Sequence, residues 1–223
     1  KMSLQKLLGK LKVNVMPVWQ TVKADSIVWL EYDMKQHLHL WDDYKQPLFQ
    51  LKVTILQDAL NIDDTYAVEF GLRQFKPTGT KFTINGRPVF LRGKQDACVF
   101  PLTGYPPMDV NSWIQVFTVA KSWGINHYRF HSWCPPEAAF EAADQVGLFL
   151  QVELPFWGEL KEGPVYESLK AEGMALLKAY ANHPSFVLFS MGNELHGDLT
   201  AATRLMNELK KTDNRPLYAA GTN

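Results

Sequence analysis

Gly192-Asn193-Glu194 follows directly on the apolar run Ser185–Met191, SFVLFSM. An amide beside a carboxyl group at the end of a buried strand suits acid/base work. Burial would raise the pKa of Glu194 until it holds and gives up a proton near neutral pH. Asn193 could hydrogen-bond a hydroxyl-rich ligand such as a sugar. An exposed loop carboxylate with an Asn turn explains the pair equally well. Side chains alternate along a strand, so aiming both into one place requires a kink at the strand end.

Other segments end in similar residues. Ile125–Phe130 leads into His131-Ser132-Trp133, and period two puts His127, Arg129 and His131 on one face, with Tyr128 and Phe130 on the other. A cationic face inside a fold is costly unless carboxylates or a ligand pair with it. A structural ion pair for Arg129 and a merely satisfied His131 are the plainer alternatives. Leu148–Leu154 brings Glu153, then Trp157. Glu153 could bind hydroxyls and Trp157 could stack on a sugar face; a salt bridge and a core ring compete. Asp96, near the end of an earlier strand, and His196, just past Glu194, are further candidates, against a loop acid and a solvated histidine.

These residues need elements to position them. The first third reads as all-β: Leu11–Val18, Ile27–Asp33, Leu48–Leu56 and Tyr66–Arg73 alternate or concentrate β-branched and aromatic residues. Such a set implies a β-sandwich, short for a complete one, in residues 1–76. A boundary follows at Lys76-Pro77-Thr78-Gly79, and then Asn85-Gly86 between apolar arms predicts a type I′ hairpin. From Leu91 the rhythm becomes strand, helix, strand, helix. Helices are predicted over Asp109–Ser122, from Pro135-Pro136 to Val146, over Ser168–Ala181 and over Leu199–Lys211. Strands are predicted over Ile125–Phe130, Leu148–Leu154, Ser185–Met191 and Leu217–Ala220. Five strands in such repeats suit part of a (β/α)₈ barrel over residues 77–223, whose chemistry would sit at the C-terminal strand ends.

Composition excludes several classes. The chain has 223 residues, 46% hydrophobic and 21% charged, and its formal net charge is zero, so nothing points to nucleic acid or an anionic membrane. No apolar run is long enough to span a bilayer. Lys1-Met2-Ser3-Leu4 opens no secretory signal and reads as an internal cut. Cys98 and Cys134 make neither a disulfide framework nor a zinc quartet. The chain has no Gly-rich phosphate turn, no His-x-His marks the first barrel strand and no His-Glu-x-x-His marks a helix, so neither a cofactor nor a metal is expected. No Lys is expected within the five barrel strands, which counts against a Schiff-base enzyme.

The ordered set of motifs resembles glycoside hydrolase family 2. Leu40-Trp41-Asp42 with Pro47-Leu48-Phe49, and Glu69-Phe70-Gly71-Leu72-Arg73, are similar to stretches of that family's immunoglobulin-like domain. Phe82-Thr83-Ile84-Asn85-Gly86 through Leu91-Arg92-Gly93 is similar to the opening of its barrel, and Gly192-Asn193-Glu194 to its acid/base motif. The resemblance implies an immunoglobulin-like β-sandwich followed by an incomplete TIM barrel. It implies hydrolysis of terminal β-glycosidic bonds with retention, with Glu194 as general acid/base and the nucleophile outside the chain. Asn193 would contact the sugar 2-hydroxyl, and Arg129 would support the nucleophile. The implied partner is a carbohydrate, with homo-oligomerisation left open. A periplasmic or secreted bacterial location follows from the resemblance alone. A carbohydrate-binding or scaffolding module without catalysis is the alternative.

Overall fold

The computed structural model describes residues 2–8, 11–14, 20, 21, 27, 29, 31–34, 38–57 and 62–221. Strands β1 (Met2–Leu8), β2 (Leu11–Asn14), β3 (Leu48–Gln57) and β4 (Ile62–Phe70) form one antiparallel sheet in the order β2-β1-β3-β4. Residues 15–18 of the expected first strand lie outside the described residues. Ile27, Trp29 and Glu31–Asp33, expected as a strand, carry no strand pairing, and Ile27 and Trp29 are exposed. Alternation there marks apolar residues that no second layer of the described chain covers. The second sheet that a sandwich requires is not formed among the described residues of this part.

The Asn-Gly hairpin is present. Strands β5 (Phe75–Thr78), β6 (Lys81–Ile84) and β7 (Arg87–Val89) form a three-stranded sheet. Asn85 and Gly86 both take positive φ, 51° and 82°, as a type I′ turn demands.

The alternating rhythm then builds β8 (Gly93–Asp96), α1 (Val110–Ser122), β9 (His127–Phe130), α2 (Glu137–Val146) and β10 (Phe149–Glu153). After β11 (Trp157–Leu160) come α3 (Pro164–Tyr180), β12 (Phe186–Ser190), β13 (Asn193–Gly197), α4 (Leu199–Thr212) and β14 (Leu217–Ala219). Strands β8, β9, β10, β12 and β14 lie side by side in chain order in one parallel sheet. Asp109 caps α1 by accepting from the Ser112 amide at 2.9 Å, and Asp198 caps α4 through the amides of Thr200 and Ala201. Helix α3 starts at Pro164, four residues before the predicted start, because proline suits a first helical turn.

All four helices share one apolar cluster with the sheet: Trp113 and Phe117, Ala139 and Phe140, Leu176 and Leu177, and Leu205 and Leu209 pack with Tyr128, Phe130, Leu150, Val152, Phe186 and Phe189. Covering the N-terminal strand ends is a second cluster. Trp41, Phe75 and Ile84 meet Phe149 and Val187 there, with Trp41 edge-on to Phe149 at 5.8 Å. The Trp41 indole donates to the Asp144 carbonyl at 2.8 Å, and Arg73 donates to the carbonyls of Pro184 and Phe186. Both cysteines are free, Cys98 exposed and Cys134 half-buried.

Candidate active site

At the C-terminal strand ends, the sheet face opposite the helices turns polar. Arg129 on β9 and Glu153 on β10 stand on adjacent parallel strands. The Arg129 Nε donates to Glu153 Oε1 at 2.6 Å. Glu153 is fully buried, and an unpaired carboxylate there would be costly. Its oxygens also accept from the Gln151 amide at 3.1 Å and from the Ser132 backbone N–H at 2.8 Å. That last bond requires Ser132 to take φ 56°, a left-handed conformation that turns its amide back toward the site.

Arg129 also reaches across to β13. Its Nη2 donates to Asn193 Oδ1 at 2.5 Å. The Asn193 side chain is only 2% exposed, and its Nδ2 finds no acceptor among the described residues. A buried, unsatisfied donor costs about 1–3 kcal/mol, so it is where a ligand acceptor would be most rewarded.

The kink expected between Asn193 and Glu194 is present. Gly192 has φ 138° and Glu194 φ 46°. A Cβ on Gly192 would stand 2.5 Å from the Phe156 carbonyl oxygen, so only glycine lets β13 draw alongside β11. Those two strands make a small parallel pair beyond the main sheet, with Trp157 opposite Asn193. The pairing sets the Trp157 indole N–H 2.8 Å from Glu194 Oε2. His131 packs edge-on against the Trp157 ring, with centroids 5.0 Å apart. The His196 ring lies 3.2 Å from the Glu194 carbonyl. Two tiers result: a buried Arg129–Glu153–Asn193 tier, and an outer tier of Glu194, Trp157, His131 and His196.

Three expectations and one alternative fail here. Glu194 is exposed, not buried, because the five strands stop at β14 and nothing in the described chain covers that face. Trp157, 58% exposed, is not a core ring. Asp96 is not brought to the site. It pairs in register with Phe130, whose side chain points to the helices, and it binds Lys94 at 3.0 Å. Lys94 does lie within a strand of the sheet, contrary to the sequence reading, but its ammonium sits over the Tyr128 ring on the helix side. Gln95, Gln151 and Ser132 were missed. The two glutamines share Arg129's face by the same period of two, which was signal enough; Ser132 gave none. A cleft of 160 Å³ between Phe70–Arg73 and Ala181–Pro184 contains none of the candidates and lies at the other end of the strands.

No family model matches the chain. A β-galactosidase of Oenococcus oeni is 28% identical over 193 residues, 82% of this chain and 18% of that protein. A putative β-glucuronidase of Formosa agariphila is 29% identical over 159 residues, 70% of this chain and 19% of that protein. The chain is similar to a part of family 2 glycoside hydrolases. Its fold is shared with the β-glucuronidase of Parabacteroides merdae, with a TM-score of 0.74 over 97% of the chain and 29% of that protein at 16% identity. A family 2 member of Bacteroides cellulosilyticus gives 0.71 over 83% of the chain and 25% of that protein at 23% identity. The chain thus spans less than a fifth of the two curated relatives' length.

Proposed function

We propose that the chain is the acid/base-bearing portion of a retaining β-glycosidase, with residues 1–76 from an immunoglobulin-like β-sandwich and 77–223 from the first half of a (β/α)₈ barrel. Five parallel strands in chain order, with every helix on one face, suit a barrel segment better than a doubly wound sheet, which carries helices on both faces. The observation that carries the function is the Asn193 Nδ2, without an acceptor among the described residues, beside Glu194 at the C-terminal end of β12.

In this reading the Asn193 amide donates to a sugar hydroxyl. Arg129 holds Asn193 and Glu153 in place, and the exposed Trp157 ring borders the sugar. Glu194 protonates the glycosidic oxygen as the bond to the sugar breaks, then takes a proton from the incoming water. A second carboxylate, on a strand outside this chain, forms the glycosyl intermediate about 5 Å from Glu194.

The test uses the full-length protein on aryl β-galactosides, β-glucuronides and β-mannosides. Glu194→Gln should lower kcat/KM at least about 100-fold on substrates with poor leaving groups and far less on activated aryl glycosides. Equal losses on both overturn the acid role. Sugar binding without turnover by the wild type would replace this reading with that of a carbohydrate-binding module.

A further inference from the structure

We infer that Trp157 is a positioning residue for Glu194 and decides which of its two carboxyl oxygens carries the transferred proton; this rests on the acid/base reading above. The indole N–H only donates. It binds one oxygen of Glu194 at 2.8 Å. In the neutral carboxyl group the carbonyl oxygen is the better acceptor, so the N–H selects it and the proton resides on the other oxygen. That oxygen gives its proton to the glycosidic oxygen as the carbon–oxygen bond breaks, the bonding pair leaves with the alcohol, and the second carboxylate bonds to the sugar carbon. The carboxylate that remains keeps the indole donor, now in a charge-assisted bond. The free oxygen then takes the proton from water while the water oxygen bonds to the sugar carbon and the bond from that carbon to the second carboxylate breaks, its electron pair returning to that carboxylate.

The backbone is built to hold this contact. Glu194 keeps a left-handed φ of 46°, a conformation L side chains rarely adopt. Parallel pairing of Trp157 with Asn193, and the Asn193 N–H to Phe156 carbonyl bond of 3.0 Å, bring the indole N–H edge beside the carboxylate. His131 abuts the ring edge-on and limits its swing.

A ring that merely stacks on sugar needs its face and not its N–H, which separates the two roles. The full-length enzyme is made with Trp157→Phe and, separately, with benzothienylalanine at position 157, which keeps the indole shape and puts sulfur in place of N–H. The substrates are the methyl and 2,4-dinitrophenyl β-glycosides of whichever sugar the wild type hydrolyses. Both variants should lose about 10- to 100-fold in kcat/KM on the methyl glycoside, the worth of one hydrogen bond to a charged group. On the dinitrophenyl glycoside, which needs no proton, the benzothienylalanine enzyme should lose several-fold less than on the methyl glycoside, while Trp157→Phe, which also trims the ring bordering the sugar, should raise KM on both substrates. A benzothienylalanine enzyme that behaves as wild type, or equal losses on both substrates, overturns the inference. Azide added to Glu194→Ala separates the two readings. If azide restores turnover of the dinitrophenyl substrate as the glycosyl azide, the acid/base reading stands whatever Trp157 does. If it does not, both fall.

Discussion

The two ends of the parallel sheet are built on opposite principles. At the N-terminal strand ends, Trp41, Phe75, Ile84, Phe149 and Val187 close an apolar plug. Most polar groups around it are matched: Arg73 donates to the carbonyls of Pro184, Phe186 and Arg215, and Asp144 takes the Ser185 amide and His183, while the Ser185 hydroxyl finds no partner among the described residues. At the C-terminal ends the same strands carry Arg129, Glu153 and Ser190, left-handed residues follow at Cys98, Ser132 and Glu194, and the buried Asn193 side-chain amide has no acceptor among the described residues. One end spends its residues on stability. The other holds three left-handed non-glycine residues, against Asn85 alone near the plug, and a buried amide aimed at the site, which is what a binding site requires.

Trp41→Ala tests the plug most severely. It should cost about 5 kcal/mol in urea unfolding, from a large cavity plus an orphaned Asp144 carbonyl. Folded molecules should keep the Arg129–Glu153 pair. Arg129→Met attacks the other end and should cost about 4 kcal/mol, because it strands a buried Glu153; Arg129→Met combined with Glu153→Leu should recover most of it. If the single change proves nearly neutral in unfolding experiments, the polar tier is not the buried network described.

Protonation sharpens the contrast between these layers. His127, between plug and site, is held down to about 4 by burial, which outweighs its bond to the Phe149 carbonyl. Its folded pKa lies below the unfolded 6.5, so stability is full above pH 6.5 and falls as pH drops toward 4, by roughly 3 kcal/mol in all. His127→Gln should flatten that slope in pH-dependent unfolding. At the plug end, burial pulls His183 down, but the Asp144 bond and charge outweigh it and raise its pKa. That contribution is present below pH 6.5 and is lost as pH rises through the raised value; a proton NMR titration of the two rings should show them moving in opposite directions.

The smallest effect belongs to the hairpin that supplies Ile84 to the plug. Gly86→Ala meets no neighbour within 4 Å, so it should cost only the strain of φ 82°, about 1 kcal/mol, read as a small loss of thermal stability.

The sequence by itself determined what is local. Helical and strand periods placed β9, β10, β12 and the four helices to within a few residues, Asn85-Gly86 specified its own turn, and period two put His127 and Arg129 on one face with Tyr128 and Phe130 on the other. What it could not determine was which layer covers a given face. Ile27–Asp33 alternates like a strand, yet Ile27, Trp29 and Tyr32 belong to no described strand, while Trp41 packs against Phe149, more than a hundred residues along the chain. The site depended on such long-range geometry as well. Trp157 meets Glu194 only because two short strands 36 residues apart pair beyond the main sheet, and Asp96 misses the site because its register with Phe130 turns it to the helices. Periodicity orders side chains along one strand; only the packing of distant strands decides which of those side chains meet.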